Sequence, residues 1–92
     1  MKFEWGERKN LSNIRKHGID FNDVTDMFFN NMLTYIDTKG DYFEERWIGI
    51  GWMKSLLGLV VYVERHEDKI RIISARKATK HEIKNYEKHI KN

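Results

Sequence analysis

The chain has 92 residues, enough for one domain over residues 1–92 with a single modest core. Its 40% hydrophobic and 13% aromatic residues exclude an intrinsically disordered chain. Its lack of cysteine and proline excludes disulfides, cysteine-ligated zinc and proline-rich binding segments. The 17 lysine and arginine residues exceed the 14 aspartate and glutamate residues, and the net charge of +3 permits a polyanionic partner without requiring one.

A short strand followed by a basic helix is predicted at the start of the chain. Residues 1–5 alternate apolar and charged side chains, as strands do. In residues 7–17, Leu11 and Ile14 lie three apart among basic residues and predict a helix that packs through a thin apolar stripe. Gly18 suits the left-handed conformation that commonly ends a helix.

A second helix, an antiparallel meander and a final helix are predicted for the rest of the chain. Asp20 is a good N-cap for the second helix, which we expect to end at residues 30–31. After it the apolar period changes to two, and the short turns between the resulting strands predict an antiparallel meander. Thr79 and Glu82 have the spacing of a capping box and predict the start of the last helix. The predicted strands are 32–37, 45–52, 59–65 and 69–76, and the first predicted turn is 38–41.

This succession of elements predicts an α+β domain of order β-α-α-β-β-β-β-α. Each helix has one apolar stripe, so the helices must cover at least one face of the antiparallel sheet in a two-layer arrangement. The longest uncharged stretch, residues 55–63, is too short to cross a bilayer, and the N-terminus lacks the apolar core of a signal peptide. We therefore expect a cytoplasmic protein without a membrane partner.

Three arginines follow the alternation of the apolar residues instead of opposing it. Arg46, Arg65 and Arg76 are each in phase with apolar residues of their own strand; Arg76, for example, has the phase of Ile70 and Ile72. This phase predicts that the three side chains meet, partly buried, at one rim of the sheet, where guanidinium groups would bind phosphate oxygens. In the alternative interpretation each arginine pairs with a nearby carboxylate. Those carboxylates are Glu44, Glu45, Glu64 and Asp68.

The first helix adds a histidine and four further basic residues. His17 lies at its C-terminal end, where the helix dipole favours a cation, and it is otherwise a candidate acid, base or RNA contact. Lys9 and Lys16 are seven apart and share one side of the helix. Together with Arg8 and Arg15 they form either a solvated face or a stripe that follows the phosphates of a polyanion.

The chain lacks the residue patterns of metal and nucleotide sites. Its four histidines have no spacing suited to a shared ion, no glycine-rich loop precedes a helix, and no serine lies in a nucleophile elbow. We therefore expect neither a metal nor a cofactor. Trp47 and Trp52 are interpreted as core or rim residues rather than as platforms for stacking bases.

Several segments of the chain together match one family pattern. They are Phe3-Glu4-Trp5, Asn13 with Lys16-His17-Gly18, Phe21, Glu45-Arg46-Trp47, residues 60–65, and residues 70–79 with the sequence Ile-Arg-Ile-Ile-Ser-Ala-Arg-Lys-Ala-Thr. In this order, and over nearly the whole chain, they resemble the BrnT toxin family.

The resemblance implies a type II toxin–antitoxin system and a RelE-like fold. It implies an endoribonuclease that cleaves RNA and inhibits translation. It also implies a BrnA-type antitoxin with a ribbon-helix-helix part, through which the complex would bind operator DNA. Active-site roles are implied for Lys9, Arg65 and Arg76, while Arg46 and His17 occupy other positions that recur in the family's motif.

Two features depart from the family pattern. Gly6 stands where the family usually has an aspartate that would cap the first helix. The loop of residues 66–68 is one residue longer than the family's usual hairpin, so either Arg65 or His66 takes the position of the family's arginine.

A metal-free ribonuclease mechanism gives these residues roles. His17 is the natural proton carrier, with Glu45 or Glu64 as weaker candidates. Attack by the 2′-OH would leave 2′,3′-cyclic phosphate and 5′-OH ends. The candidates for holding the phosphate and supplying positive charge are Arg76, Arg65, Arg46, Lys9 and Lys77, and those for binding RNA elsewhere are Lys77, Lys16, Arg8 and Arg15.

Two functions from other classes stay open at the level of sequence. The same fold hosts toxins that poison a protein target such as DNA gyrase, and the chain could also be a non-catalytic corepressor subunit. For antitoxin docking, the sequence offers Trp47, Trp52 and the edge of the strand at 32–37.

Overall fold

In the computed structural model, residues 1–40 and 43–90 are described, and they form five strands, three α-helices and one 3₁₀ segment. The predicted α+β class and the order of strands and helices are confirmed, and the predicted turn at 38–41 extends outside the described residues. The strands are β1 (Lys2–Glu4), β2 (Leu33–Ile36), β3 (Trp47–Met53), β4 (Leu56–Arg65) and β5 (Lys69–Lys77). The α-helices are α1 (Glu7–His17), α2 (Phe21–Val24) and α3 (Lys80–Ile90), and the 3₁₀ segment Thr25–Phe29 continues α2.

The five strands form one sheet in the order β1-β5-β4-β3-β2. Strands β2 to β5 are antiparallel neighbours, as the short turns predicted. The sheet is nevertheless mixed, because β1 pairs with β5 in parallel, with Phe3 opposite Ile70. A three-residue strand carries no signal of its partner, and the sequence therefore did not indicate this pairing.

Helices pack on both faces of the sheet and bury two apolar clusters. On one face, Phe21 and Met27 of α2 and the 3₁₀ segment are fully buried in a cluster with Val60 of β4. On the other face, Tyr86 of α3 is buried in a cluster with Leu59 of β4. We call this second side of the sheet the α3 face.

The boundaries around Gly18 are formed as predicted. Gly18 has a φ of +70°, and its N–H donates to the Ile14 carbonyl at the end of α1. The Asp20 carboxylate accepts from the Asn22 N–H at 2.9 Å and caps α2. The second helix keeps α geometry for only one turn and then tightens into the 3₁₀ segment, which ends at Phe29.

The predicted apolar stripe of α1 is wrong, because the helix packs through asparagines. Leu11 is 58% exposed and Ile14 is 37% exposed, whereas Asn10 and Asn13 are buried. The Asn10 side chain accepts from the Phe21 N–H at 2.8 Å. The Asn13 side chain donates to the Ile19 carbonyl at 2.9 Å and accepts from the Ala75 N–H at 3.0 Å. The inner side of α1 thus satisfies backbone groups that would otherwise be buried without partners.

A β-bulge in β5 overturns the predicted phase of Arg76. Val61 of β4 pairs with Ser74, but the next residue of β4, Tyr62, pairs with Ile72, so one residue of β5 is extra. Ile72 therefore lies in the cluster beneath α2, while Arg76 pairs with Leu59 on the α3 face. Arg76 is an even number of residues from Ile70 and Ile72, but the bulge places it on the opposite side of the sheet from them.

Candidate functional site

A cavity of about 380 Å³ opens on the α3 face between β2, β5, α3 and the end of α1. Its floor is apolar and comes from β3 and β4, while its walls carry titratable side chains. This combination is typical of a small-molecule or nucleotide site. The walls are His17, Tyr35, Asp37, Lys39, Ser74, Arg76 and Glu82, and the floor includes Ile48, Leu59 and Val61.

Arg76 is held in the cavity wall by a bidentate pair with Glu82. Arg76 Nη1 and Nη2 donate to the two Glu82 oxygens at 2.9 Å each. The Glu82 carboxylate also accepts from the Thr79 N–H at 2.8 Å, and the Thr79 hydroxyl accepts from the Glu82 N–H. The predicted capping box is therefore formed, and the same carboxylate that starts α3 also fixes the plane of the Arg76 guanidinium.

These bonds keep both partners charged. The hydrogen bond from Arg76, followed by the bond from the Thr79 N–H, lowers the pKa of Glu82 to about 2 against the opposing effect of its burial. The hydrogen bond to Glu82 likewise raises the pKa of Arg76 above its usual value. Arg76 is thus a fixed cation in a partly exposed wall, with 38% of its side chain accessible.

Tyr35 stands beside this pair on β2. Desolvation, followed by the charge of Glu82, raises the pKa of its phenol. The hydroxyl therefore stays neutral at cellular pH and is able to donate a hydrogen bond. Tyr35 was not among the predicted site residues, although its register opposite Ile48 places it on the α3 face.

His17, at the end of α1, connects two cavities. Its exposed ring lines the larger cavity and also a groove of about 90 Å³ that runs between α1 and β5. Lys9 and Lys16 line this groove, as their common helix side predicted. The buried Asn13 side chain bonds both to Ile19, just after the helix, and to Ala75, next to Arg76. Asn13 therefore ties the backbone that follows His17 to the β5 backbone that precedes Arg76.

The prediction that three arginines meet in one pocket is wrong. Arg65 lies six residues along β4 from Leu59, the partner of Arg76, which corresponds to about 20 Å of strand. Strand phase specifies the face on which a side chain lies but not its position along the strand. Arg65 pairs instead with Glu44 at 3.1 Å, as the carboxylate alternative predicted, and with Glu4 at 3.4 Å.

Arg46 lies at the same end of the sheet as Arg65. It directly precedes β3, whose first residue Trp47 pairs with Tyr62 of β4, and its carbonyl accepts from the Asp37 N–H. Trp47 itself packs against the cluster beneath α2, as a core or rim residue would.

The remaining basic candidates lie away from the Arg76 cavity. Arg8 and Arg15 each precede one of the groove lysines, Lys9 and Lys16, by one residue. They are therefore turned by about 100° around α1, towards the exposed Leu11.

A separate apolar cavity of about 440 Å³ lies beneath α3 and is bordered by Lys77 and Trp52.

Within residues 1–40 and 43–90, no three His, Asp or Glu side chains lie close enough together to form a metal site. Across the same ranges, no helix is long and apolar enough to cross a bilayer.

The chain resembles a known group of proteins in both sequence and structure. A family model described as the ribonuclease toxin BrnT of type II toxin–antitoxin systems matches residues 5–82. The crystal structure of the ribonuclease toxin BrnT from Brucella abortus superposes with a TM-score of 0.71 and 30% sequence identity, covering 87% of this chain and 99% of that one. The comparison with curated proteins gave no match. The length of the family match and this structural likeness establish that the chain belongs to the BrnT family of ribonuclease toxins of type II toxin–antitoxin systems.

Proposed function

We propose that the Arg76 cavity is the active site of an endoribonuclease that cuts RNA without a metal ion. The observation that carries the proposal is a guanidinium held in place by Glu82 in the wall of a cavity that His17 also lines. The hydrogen bonds to Glu82 and to the Lys77 carbonyl use three of the five N–H donors of Arg76 within the described part of the chain. The other N–H groups suit a phosphate oxygen.

The chemistry follows from the fact that RNA carries its own nucleophile. The 2′-oxygen attacks the adjacent phosphorus and loses its proton, and the bond from phosphorus to the 5′-oxygen breaks as that oxygen gains a proton. Arg76 stabilises the negative charge that builds up on the non-bridging oxygens of the phosphate, and the neutral Tyr35 phenol donates to the same oxygens. His17 carries a proton to or from the reacting oxygens, and Lys9 and Lys16 add positive charge from the groove.

The test is incubation of the purified protein with bare RNA in EDTA, followed by mapping of the new ends. We expect fragments with a 2′,3′-cyclic phosphate and a 5′-OH. Cleavage only with added Mg²⁺ would contradict the metal-free mechanism. Intact RNA accompanied by blocked DNA replication would instead support a toxin that poisons a protein such as DNA gyrase.

Family membership implies an antitoxin partner. We propose that this partner is a BrnA-type ribbon-helix-helix protein, that the complex binds operator DNA through it, and that the free toxin acts in the cytoplasm by inhibiting translation. Co-expression with the adjacent open reading frame should relieve growth arrest. A neighbouring gene that encodes no ribbon-helix-helix protein would contradict this assignment.

A further inference from the structure

A second cationic cluster lies where β5 begins, between β1 and β4. The Glu4 carboxylate is 3.2 Å from Arg71 Nη1, 3.4 Å from Arg65 Nε and 3.7 Å from Lys69 Nζ. Each of the three cationic side chains keeps between 34% and 39% of its surface exposed. We call these four residues the Glu4 cluster.

The Glu4 cluster carries more positive charge than its carboxylates balance. Among residues 1–40 and 43–90, Glu4 supplies one negative charge to three cations, and Glu44 supplies another to Arg65. A carboxylate has two oxygens, whereas a single guanidinium has five N–H donors. The network therefore holds β1 against β5 and still presents cationic donors to solvent on the α3 face.

Basic side chains connect this cluster to the Arg76 cavity. A Cβ placed on Gly6 would lie 3.7 Å from Lys9 Cγ and 3.8 Å from Arg71 Nη2, so both side chains border the start of α1. Lys9 also lines the groove that contains His17, and His17 lines the Arg76 cavity. Cationic groups thus follow β5 from Arg71 to Arg76, five residues or about 16 Å of strand.

We propose that the Glu4 cluster binds a phosphodiester of the same RNA strand at a distance from the cleaved bond. This inference rests on the proposed ribonuclease function, because it extends the substrate of the same site from one phosphate to a single-stranded segment. Positive grooves that follow the backbone bind single strands with little sequence preference and with strong salt dependence. The Glu4 cluster sets the length of the RNA segment that the protein binds, and the Arg76 cavity sets the bond that is cut.

Gly6 offers a test that leaves the cluster itself intact. It is the N-cap of α1, has an ordinary extended conformation (φ −82°, ψ 134°) and makes no side-chain capping bond. Serine and aspartate would both fit and both cap the helix. Only Gly6→Asp would place a negative charge beside Lys9 and Arg71, so Gly6→Ser is its matched control.

The measurement is the binding of uncleavable 2′-O-methyl RNA, either a trinucleotide or a strand of about 12 nucleotides. We expect Gly6→Asp to weaken binding of the long strand about tenfold. The fall of log K with log salt should become less steep by about one unit of slope. Binding of the trinucleotide should change by less than about twofold. Gly6→Ser should bind both probes as the unchanged protein does. Arg71→Gln should reproduce the loss, and Arg8→Gln on the outer side of α1 should not.

If Gly6→Asp and Arg71→Gln both bind the long strand as tightly as the original protein does, the inference is overturned. That result would leave RNA cleavage, and hence the proposed function, untouched. Equal losses with both probes would overturn it as well, because the charge would then act on the cavity. Loss of antitoxin binding alone would show that the cluster is a protein-binding surface and would also overturn the inference. A protein that cleaves no RNA would refute the proposed function itself.

Discussion

At the scale of single residues, the Arg76–Glu82 pair links the fold to the proposed chemistry. Glu82 starts α3 through the capping box and orients the guanidinium through a bidentate pair. An arginine that is already fixed spends little conformational entropy when it binds a phosphate, and its donors are preorganised for developing negative charge. The sequence indicated the cap but gave no sign that its carboxylate had a second role.

Replacing Arg76 with alanine should lower the rate of RNA cleavage about 100- to 1,000-fold, because one preorganised donor group is lost from the transition state. The measurement is single-turnover cleavage at saturating protein, with circular dichroism to confirm folding. Arg8→Ala, which removes the same charge from the outer side of α1, should cleave at nearly the original rate. Equal losses in the two variants would show that Arg76 acts only through net charge.

The depressed pKa of Glu82 predicts a pH dependence of stability. Glu82 titrates near 4.5 in an unfolded chain and near 2 in the folded protein. Its ionisation therefore stabilises the fold fully above about pH 4.5, and this contribution is lost as the pH falls towards 2. Glu82→Gln should reduce the free energy of unfolding most at pH 6 and least at pH 2.

The measurement is chemical unfolding of both proteins across that range. Glu87→Gln changes an exposed residue of the same helix and should cost less at pH 6. A stability difference between the original protein and Glu82→Gln that stays constant from pH 6 to pH 2 would contradict the prediction.

At the scale of elements, α1 shows why periodicity alone misplaced a buried face. The helix lies against the bulged part of β5, where the Ala75 N–H requires an acceptor, and beside the corner after Gly18, where the Ile19 carbonyl requires a donor. An asparagine meets both needs and an apolar residue meets neither. The buried side of α1 is therefore polar, and its apolar residues are left outside.

Two substitutions on α1 test this orientation. Asn13→Ala should lower the free energy of unfolding by at least about 2 kcal/mol, because it leaves two buried backbone groups without partners. Leu11→Ala, which removes an apolar side chain that is 58% exposed, should change it by less than about 0.5 kcal/mol. The measurement is urea unfolding of each variant, and a larger cost for Leu11→Ala would mean that the helix packs through its apolar stripe.

At the scale of the whole molecule, local signals in the sequence predicted the elements but not their positions relative to one another. Period-two alternation and short turns identified strands β2 to β5, and the capping box and Gly18 identified helix ends. The single extra residue in β5 inverted the phase of Arg76, and nothing local showed that Arg65 lies about 20 Å along the sheet. Lys9, Lys16, His17 and Arg76 were predicted as site residues and line connected cavities, whereas Tyr35 depended on strand pairing that no local pattern reveals.

The net charge of +3 raises the question of whether RNA is attracted by the molecule as a whole or by one path across it. The double variants Lys9→Gln/Lys16→Gln and Arg8→Gln/Arg15→Gln lower the net charge by the same two units, but only the first pair lines the groove beside His17. If RNA binds along the groove, the lysine variant should lose at least about tenfold in RNA affinity at low salt, and the fall of its log K with log salt should become less steep by about two units of slope. The RNA affinity of the arginine variant should stay within about twofold of the original. Binding of uncleavable RNA between low and moderate salt measures both quantities. Matching losses in the two variants would mean that long-range attraction dominates and that the groove does not direct the strand.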